Sequence, residues 1–527
     1  MIFTRRFTAV FAAAVAALAI AAVPGHAATL RWAAQNDILT LDPHSQNHTT
    51  THAIMQYVYE GLTRYSKDFQ VEPCLATSWE QITPTQWRFH LRKGVKFHDG
   101  TPFTADDVVF SYGRILQPQG TNQIYVSGVK EMKKIDDYTV DAILSGPNPV
   151  LLRLFTDFRI MSKAWSVKNK AESIQNYKAK EENYASRHTN GTGPYLVNLW
   201  EPDKRVVMTA NPAWWDKLEG NVTEVIYTPI KADATRVSAL LSGDVDLVTD
   251  LPTQDVSRLR SDTKIKMLEG NEVRTIFIGM DQHNPELLYS NVKGKNPFKD
   301  VRVRKALNLA VDRETIKRVT MRGLSIPAAI IVAPGVHGYT KELDKVAPAD
   351  VDGAKKLLAE AGYPNGFEFG LDCPNNRYVN DEGICQALVG MWARAGLKVK
   401  LNAQPMASFI AKVENFDHSA YMLGWGVSTF DALFSLQSLV HTKGGVDGSF
   451  NLGRVSDPKL DALIDAAKTE MDPKKRDVLL HDALVLTRDN YYYVPLHHQI
   501  RPWAMKKNVT IVYKPDDRPE ARYARVE

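Results

Sequence analysis

The chain has 527 residues, with 65 lysines and arginines against 60 aspartates and glutamates, 44% hydrophobic residues and 24% charged ones. That ordinary globular composition excludes a disordered or collagen-like chain. A formal charge of +5 without blocks of like charge gives no footprint for nucleic acid, and the length exceeds the ~250–300 residues at which one hydrophobic core stops growing, so two large lobes are expected.

The N-terminus reads as a secretory signal peptide. Arg5 and Arg6 precede the apolar, alanine-rich residues 7–23, and Pro24-Gly25-His26-Ala27 supplies the small residues of a cleavage site after Ala27. The competing reading, a membrane anchor, is disfavoured by that small-residue exit, and no later stretch has 18 consecutive apolar residues. No cysteine stands at the cleavage site for lipid attachment, so export to a bacterial periplasm is expected.

Beyond the leader, residues 29–34 read as an apolar strand, followed by a polar loop with the turn signal Asp42-Pro43. Ile54, Tyr57, Val58 and Leu62 recur at helical spacing and predict a helix over 50–62. Residues 87–91 alternate as a half-buried strand, with Lys93-Gly94 and Asp99-Gly100 as tight turns after it. Thr104, Asp106 and Asp107 begin a helix, because a hydroxyl and two acids suit its electropositive end. Further helices are predicted at 235–241, 301–311, 315–322, 352–361, 382–395, 459–468 and 474–488. Strands at 245–248, 397–401, 420–425 and from 492 interleave with them, which indicates α/β lobes.

Chemistry-bearing motifs are scarce. The chain has no HExxH, no GxSxG and no GxxxxGK[ST], and Gly191-Thr192-Gly193 lacks the third glycine of a dinucleotide fingerprint. His497 and His498, adjacent on a strand, point to opposite faces and make a poor metal pair. Without a CxxC, Cys373 and Cys385 remain open between a disulfide and two buried thiols, and Cys74 reads as an inert small residue. An exported two-lobed chain without a catalytic motif is more simply a binder than an enzyme, and neither metal nor cofactor is indicated.

Several stretches resemble the extracellular solute-binding proteins of the peptide/nickel/oligopeptide group, family 5, the receptors of ABC importers. The densest is Glu72-Pro73-Cys74-Leu75-Ala76-Thr77-Ser78-Trp79-Glu80, followed by Gly94-Val95-Lys96-Phe97-His98-Asp99-Gly100 and Phe103-Thr104-Ala105-Asp106-Asp107-Val108. Gly191-Thr192-Gly193-Pro194-Tyr195, Asn211-Pro212-Ala213-Trp214-Trp215 and Val301-Arg302-Val303-Arg304-Lys305-Ala306 continue it, so the resemblance covers nearly the whole mature chain. It implies an α/β fold of the large periplasmic-binding-protein type, with hinge strands and an interlobe ligand cleft. Lobe I would run over 28–277, lobe II over 278–494, with a return to lobe I at 495–527. The crossings would fall near 275–280 and 493–496. A monomer delivering a short peptide or peptide-like solute to an inner-membrane ABC permease is what the resemblance implies.

Site residues follow from the same resemblance. Peptide-binding members grip their ligand with a Gly-Trp-x-x-Asp loop whose acid neutralises the α-ammonium. Here the loop is Gly424-Trp425-Gly426-Val427-Ser428, so a serine replaces that acid. Asp431 either reaches the same place or caps the next helix. Arg377, with Tyr378, either grips a carboxylate or lies on the surface. Ser45, Gln46 and Asn47 belong to a loop expected to line the cleft from lobe I. Both departures leave room for a non-peptide solute, such as an opine, a sugar conjugate or a γ-linked peptide. From another class, a secreted peptidase or hydrolase would turn over its ligand, and a periplasmic chaperone would bind unfolded chains.

Overall fold

The computed structural model describes residues 28–177, 179–445 and 447–527, and the predicted signal peptide lies outside them. Three sheets organise the chain. The first has seven strands, with Ala28–Ala34 inside it and parallel to both neighbours, Val222–Pro229 and Leu247–Val248. Its buried side chains include Trp32, Tyr227 and Trp503. A six-stranded sheet forms the second lobe around Asn271–Met280, which pairs antiparallel with Ala420–Gly426 on one side and Tyr493–Ile500 on the other. Nine of the ten residues of that central strand are buried, as strands covered on both faces require. The third sheet is a four-stranded antiparallel insert over Ala76–Leu144, running from strand Ala76–Thr83 to strand Thr139–Leu144.

Strands Asn271–Met280 and Tyr493–Ile500 belong wholly to the six-stranded sheet. The chain therefore changes lobes at residues 269–270 and 501–502, not within 275–280 and 493–496. The two passages run side by side, with Asn271 opposite Ile500. The Tyr513 hydroxyl donates to the carbonyls of Gly270 (2.9 Å) and Arg501 (3.2 Å), bracing both. A Cβ on Gly270 would stand 2.3 Å from the Tyr513 ring, so glycine is required there.

The predicted helix 50–62 is shorter, Thr49–Met55. Beyond it the carbonyls of Tyr57 and Val58 accept the N–H groups of Tyr195 and Gly193, so the backbone leaves helical geometry to pair with a distant segment. Gly191 and Gly193 permit the approach: added Cβ atoms would lie 1.9 and 2.6 Å from those carbonyl oxygens. Helix Ala105–Ile115 starts as the sequence indicates, its Thr104 N–H donating to Asp107 Oδ2 at 2.9 Å.

The polar loop after Ala28–Ala34 is fixed by a fully buried ion pair. Arg114 holds both oxygens of Asp42, at 2.8 and 2.6 Å. Burial alone would push the Asp42 carboxyl up, but the guanidinium overrides it and sets the pKa to about 2. The folded value lies below the unfolded one, so this pair stabilises the fold above about pH 4. That contribution fades as pH falls toward 2. Arg114→Met should cost about 3–5 kcal/mol at pH 7, by stranding the carboxylate. Urea unfolding at pH 7 and pH 3 should show the difference from wild type shrinking at the lower pH; a constant difference would refute the pair's role.

Candidate functional site

The two lobes face each other across a cleft in which a cavity of about 250 Å³ takes Arg377, Tyr378 and Asn380 from one lobe and Gln35, Asp233 and Arg236 from the other. Arg377 and Tyr378 sit between strand Glu368–Pro374 and helix Asp381–Arg394. The buried Asp381 accepts the backbone N–H of Arg377 (2.9 Å) and of Tyr378 (3.0 Å), wrapping the loop around one carboxylate. Asn380 takes the left-handed conformation that asparagine tolerates, φ 55°, and its Nδ2 donates to Thr253 Oγ1 of the opposite lobe at 2.7 Å. A disulfide between Cys373 and Cys385 closes the loop, settling the alternative that the sequence left open. Cys74 is free and buried, and burial raises its thiol pKa.

The Arg377 guanidinium lies 5.3 Å from the centre of the Tyr378 ring and has no hydrogen-bond or ion-pair partner among the described residues. Burial, then the like charge of Arg274, lowers its pKa. Burial and the charge of Arg377 lower His48, on the facing wall, to about 3. Arg274 is itself neutralised by Glu272 at 2.8 Å. What remains is a half-buried cation without an anion, pressed toward the opposite lobe.

The second element is the turn that leaves strand Ala420–Gly426. Trp425 is half-buried, its indole packed against Phe434 (5.3 Å, 27°) and Phe450 (4.9 Å). Its Nε1 is buried without a partner among the described residues, as are Ser428 Oγ and Thr429 Oγ1. The glycines beside it are contact positions: a Cβ on Gly424 would come 2.7 Å from the Tyr378 ring, and one on Gly426 3.0 Å from the Arg274 guanidinium. The Gly424 carbonyl accepts Arg274 Nη1 (3.1 Å) and the Tyr378 hydroxyl (3.3 Å), tying both elements together. Arg153, from the insert lobe, donates to the Thr429 carbonyl at 3.3 Å, and Phe430 packs against Tyr65 at 5.0 Å.

On the facing wall the Tyr125 hydroxyl donates to Asn47 Oδ1 at 3.3 Å, and its ring meets His52 edge-on at 5.7 Å. Burial raises Tyr125 to about 12, and the adjacent Arg518 and Ser428 hold it from rising further. Ser428 thus lies beside Tyr125 without completing a hydrogen bond of good geometry. Asn47 and Ser428, chosen from opposite ends of the sequence, converge on one tyrosine.

Two predicted contacts belong to the scaffold. Ser45 is fully buried and its hydroxyl donates to the Gln175 carbonyl at 3.3 Å. Asp431 caps helix Ala432–Ser435 through the Leu433 N–H and takes both Arg476 nitrogens at 2.8 Å, with His337 Nδ1 at 3.0 Å. Its carboxylate is saturated, and those partners hold its pKa well below the usual range despite burial. Asp431 therefore does not stand in for the acid missing at Ser428. Gln46 only donates back to Ser45. Arg274, Tyr125, His48 and His52 went unnoticed in the sequence, since each reaches the cleft through contacts far apart along the chain.

His498 is buried between Thr275 Oγ1 and Asp344 Oδ2, both 2.8 Å away, while neither His497 nitrogen has a partner among the described residues. The two rings therefore do not form a ligand pair. His441, Asp447 and Asp465 also converge, but Lys468 already bridges both acids at 2.8 Å.

The model of the bacterial extracellular solute-binding proteins, family 5, matches residues 70–447. The chain is 28% identical to heme-binding protein A of Haemophilus influenzae, over 86% of this chain and 83% of that one. It is 26% identical to the glutathione-binding protein GsiB of Salmonella choleraesuis, over 94% of each. The solved structure of AgaA from A. tumefaciens R10 in complex with agropinic acid superposes with a TM-score of 0.80 at 26% identity, covering 95% of this chain and 99% of AgaA.

The disulfide spans 12 residues around Arg377. Closing a loop of that size removes roughly 3 kcal/mol of unfolded-state entropy. The double variant Cys373→Ser/Cys385→Ser should unfold at lower urea concentration by about 2–3 kcal/mol. Dithiothreitol should shift wild type in the same direction and leave the variant unchanged; equal sensitivity of both would disprove the bond's contribution.

Proposed function

The chain belongs to the bacterial extracellular solute-binding proteins of family 5, and on that premise we propose that it captures a small peptide-like solute bearing a carboxylate. Capture takes place between the two lobes, 28–268 with 503–527 and 271–500, in the periplasm after cleavage of the leader at Ala27. The loaded, closed form is what an ABC permease of the inner membrane receives. The observation that carries this reading is the Arg377 guanidinium, half-buried at the cleft without an ion-pair or hydrogen-bond partner among the described residues. A carboxylate there gains a paired, charge-assisted fork geometry and relieves the repulsion from Arg274.

The other end of the cleft favours a solute without a bare α-ammonium. Ser428 and Thr429 present hydroxyls, and Asp431 is committed to Arg476. A hydroxyl hydrogen-bonds an ammonium but does not neutralise it, and an unpaired buried charge costs several kcal/mol. A γ-linked peptide, an acylated peptide or an opine-like conjugate satisfies such a wall better than a free dipeptide. The glutathione-binding and agropinic-acid-bound relatives are in keeping with that chemistry. Trp425 supplies the apolar cover, its buried N–H being free to donate to the solute.

Calorimetry against free dipeptides, N-acetyl dipeptides, γ-glutamyl peptides and opines tests the reading. Carboxylate-bearing solutes without a free α-ammonium should bind tightest, and Arg377→Gln should weaken them at least tenfold. Tightest binding by free dipeptides, or an Arg377→Gln variant of unchanged affinity, would overturn it. Trp425→Ala should lower the ligand-free midpoint by a few degrees and abolish the solute-induced thermal shift. A retained shift would remove the indole from the site.

A further inference from the structure

A second, small cavity, of about 70 Å³, lies within the first lobe, between the turn that carries Glu60 and Arg64 and the C-terminal segment 514–522. Two charge triads line it. Asp157 is shared by Arg159 (2.5 Å) and Arg518 (2.8 Å), and Glu520 by Lys514 and Arg522 (2.6 Å). Each triad sets one carboxylate against two cations. Both shared carboxyls stay ionised: burial pushes them up, but the flanking cations bring Glu520 to about 2 and Asp157 lower.

The remaining donors of this lining point to an absent partner. Arg159 Nε, Arg518 Nε, Arg64 Nη1 and the Tyr65 hydroxyl are all buried without a hydrogen-bond partner among the described residues. Arg159 and Arg518 are each 7% exposed, so bulk water does not satisfy them. Such groups are rare in folded proteins unless water or a ligand meets them. Two acids of the lining oppose an anion only weakly. Glu60 already accepts the indole N–H groups of Trp214 and Trp215 and the Thr192 hydroxyl, and Asp516 accepts the Arg518 backbone N–H. Burial raises the pKa of both.

We propose that this cavity binds a small oxyanion, a carboxylate or a phosphate group, through Arg64, Arg159, Arg518 and the Tyr65 hydroxyl, at a site separate from the interlobe cleft. Arg64 already holds Glu72 at 2.7 Å and Asp216 at 2.8 Å, and Arg159 and Arg518 share Asp157. Arg64 Nη1, Arg159 Nε and Arg518 Nε are therefore the donors left to an anion, one from each side chain. Single charge-assisted N–H donors suit either anion. The site does not depend on the cleft reading, since none of these donors belongs to the Arg377 or Trp425 elements.

Titration calorimetry of the mature protein with inorganic phosphate and with succinate, each against chloride at matched ionic strength, tests it. Saturable binding of phosphate, succinate or both is expected, and the preferred anion identifies the source. Arg64→Gln should weaken it at least tenfold and Tyr65→Phe several-fold. Arg377→Gln should leave it unchanged. The Tyr65→Phe variant, which removes one oxygen, keeps the test decisive if Arg64→Gln unfolds. No saturable heat beyond chloride would mean that water alone fills the cavity and would overturn the proposal. So would loss of binding in Arg377→Gln with retention in Tyr65→Phe, which would place the anion in the cleft.

Discussion

Arg501 holds the point where the chain returns from one lobe to the other. Its guanidinium pairs with Asp250 at the edge of the seven-stranded lobe, lies 3.0 Å from Asp517 in the C-terminal segment, and stands 3.9 Å from Glu272 at the start of the central strand of the other lobe. One buried cation thus touches carboxylates from both lobes and from the tail that braces them. Asp517 registers how deeply the cluster is buried: burial, with Glu272 adding to it, raises that carboxyl to about 6 although Arg501 pulls it down. Removing the arginine would strand buried acids from three segments at once, so the geometry of both crossings depends on it.

The cleft follows from that geometry. Once the crossings are fixed, strand Ala420–Gly426 delivers Trp425 to one wall, and the loop wrapped around Asp381 delivers Arg377 beside it. Glycines at 424 and 426 let Tyr378 and Arg274 pack flat against the strand. Contacts across the cleft include polar ones, Asn380 with Thr253 and Arg153 with Thr429, and the aromatic packing of Phe430 on Tyr65 and Phe69. The polar contacts exchange readily with water and therefore add little to the hold of one lobe on the other. Unpartnered hydroxyls and an unpartnered indole N–H on the closed wall favour a bound solute, because a solute that meets them removes a desolvation cost.

Local signals in the sequence located what local physics determines. Alternation marked the strand Gln86–Leu91, and a hydroxyl and two acids marked the helix entry at Thr104. Family resemblance pointed to the Trp425 turn and to Arg377; Arg377 lines the cavity between the lobes, while Trp425 packs on Phe434 and Phe450. Distance along the chain hid the rest. Asp431 reads equally well as an anchor or a cap until Arg476, 45 positions away, is seen to occupy it. Tyr125 meets Asn47 across 78 positions and Arg274 meets Gly424 across 150, and neither pairing leaves a periodic trace. The lobe crossings were displaced for a related reason. A run as buried as Asn271–Met280 looks like a passage between lobes, yet it is the middle of a sheet.

Two passages between the lobes that lie side by side, pinned at Gly270 and Arg501 by the hydroxyl of Tyr513, have a mechanical meaning. A single tether would leave one body free to swing, twist and roll about the other. Two parallel anchors define a line, and rigid bodies joined along a line keep only rotation about it. The receptor's conformational state then reduces to one angular coordinate. If the proposed capture holds, a solute sets that angle by filling the cleft, and a membrane partner that measures the spacing of the two lobes obtains occupancy from a single number, whatever the chemistry of the cargo.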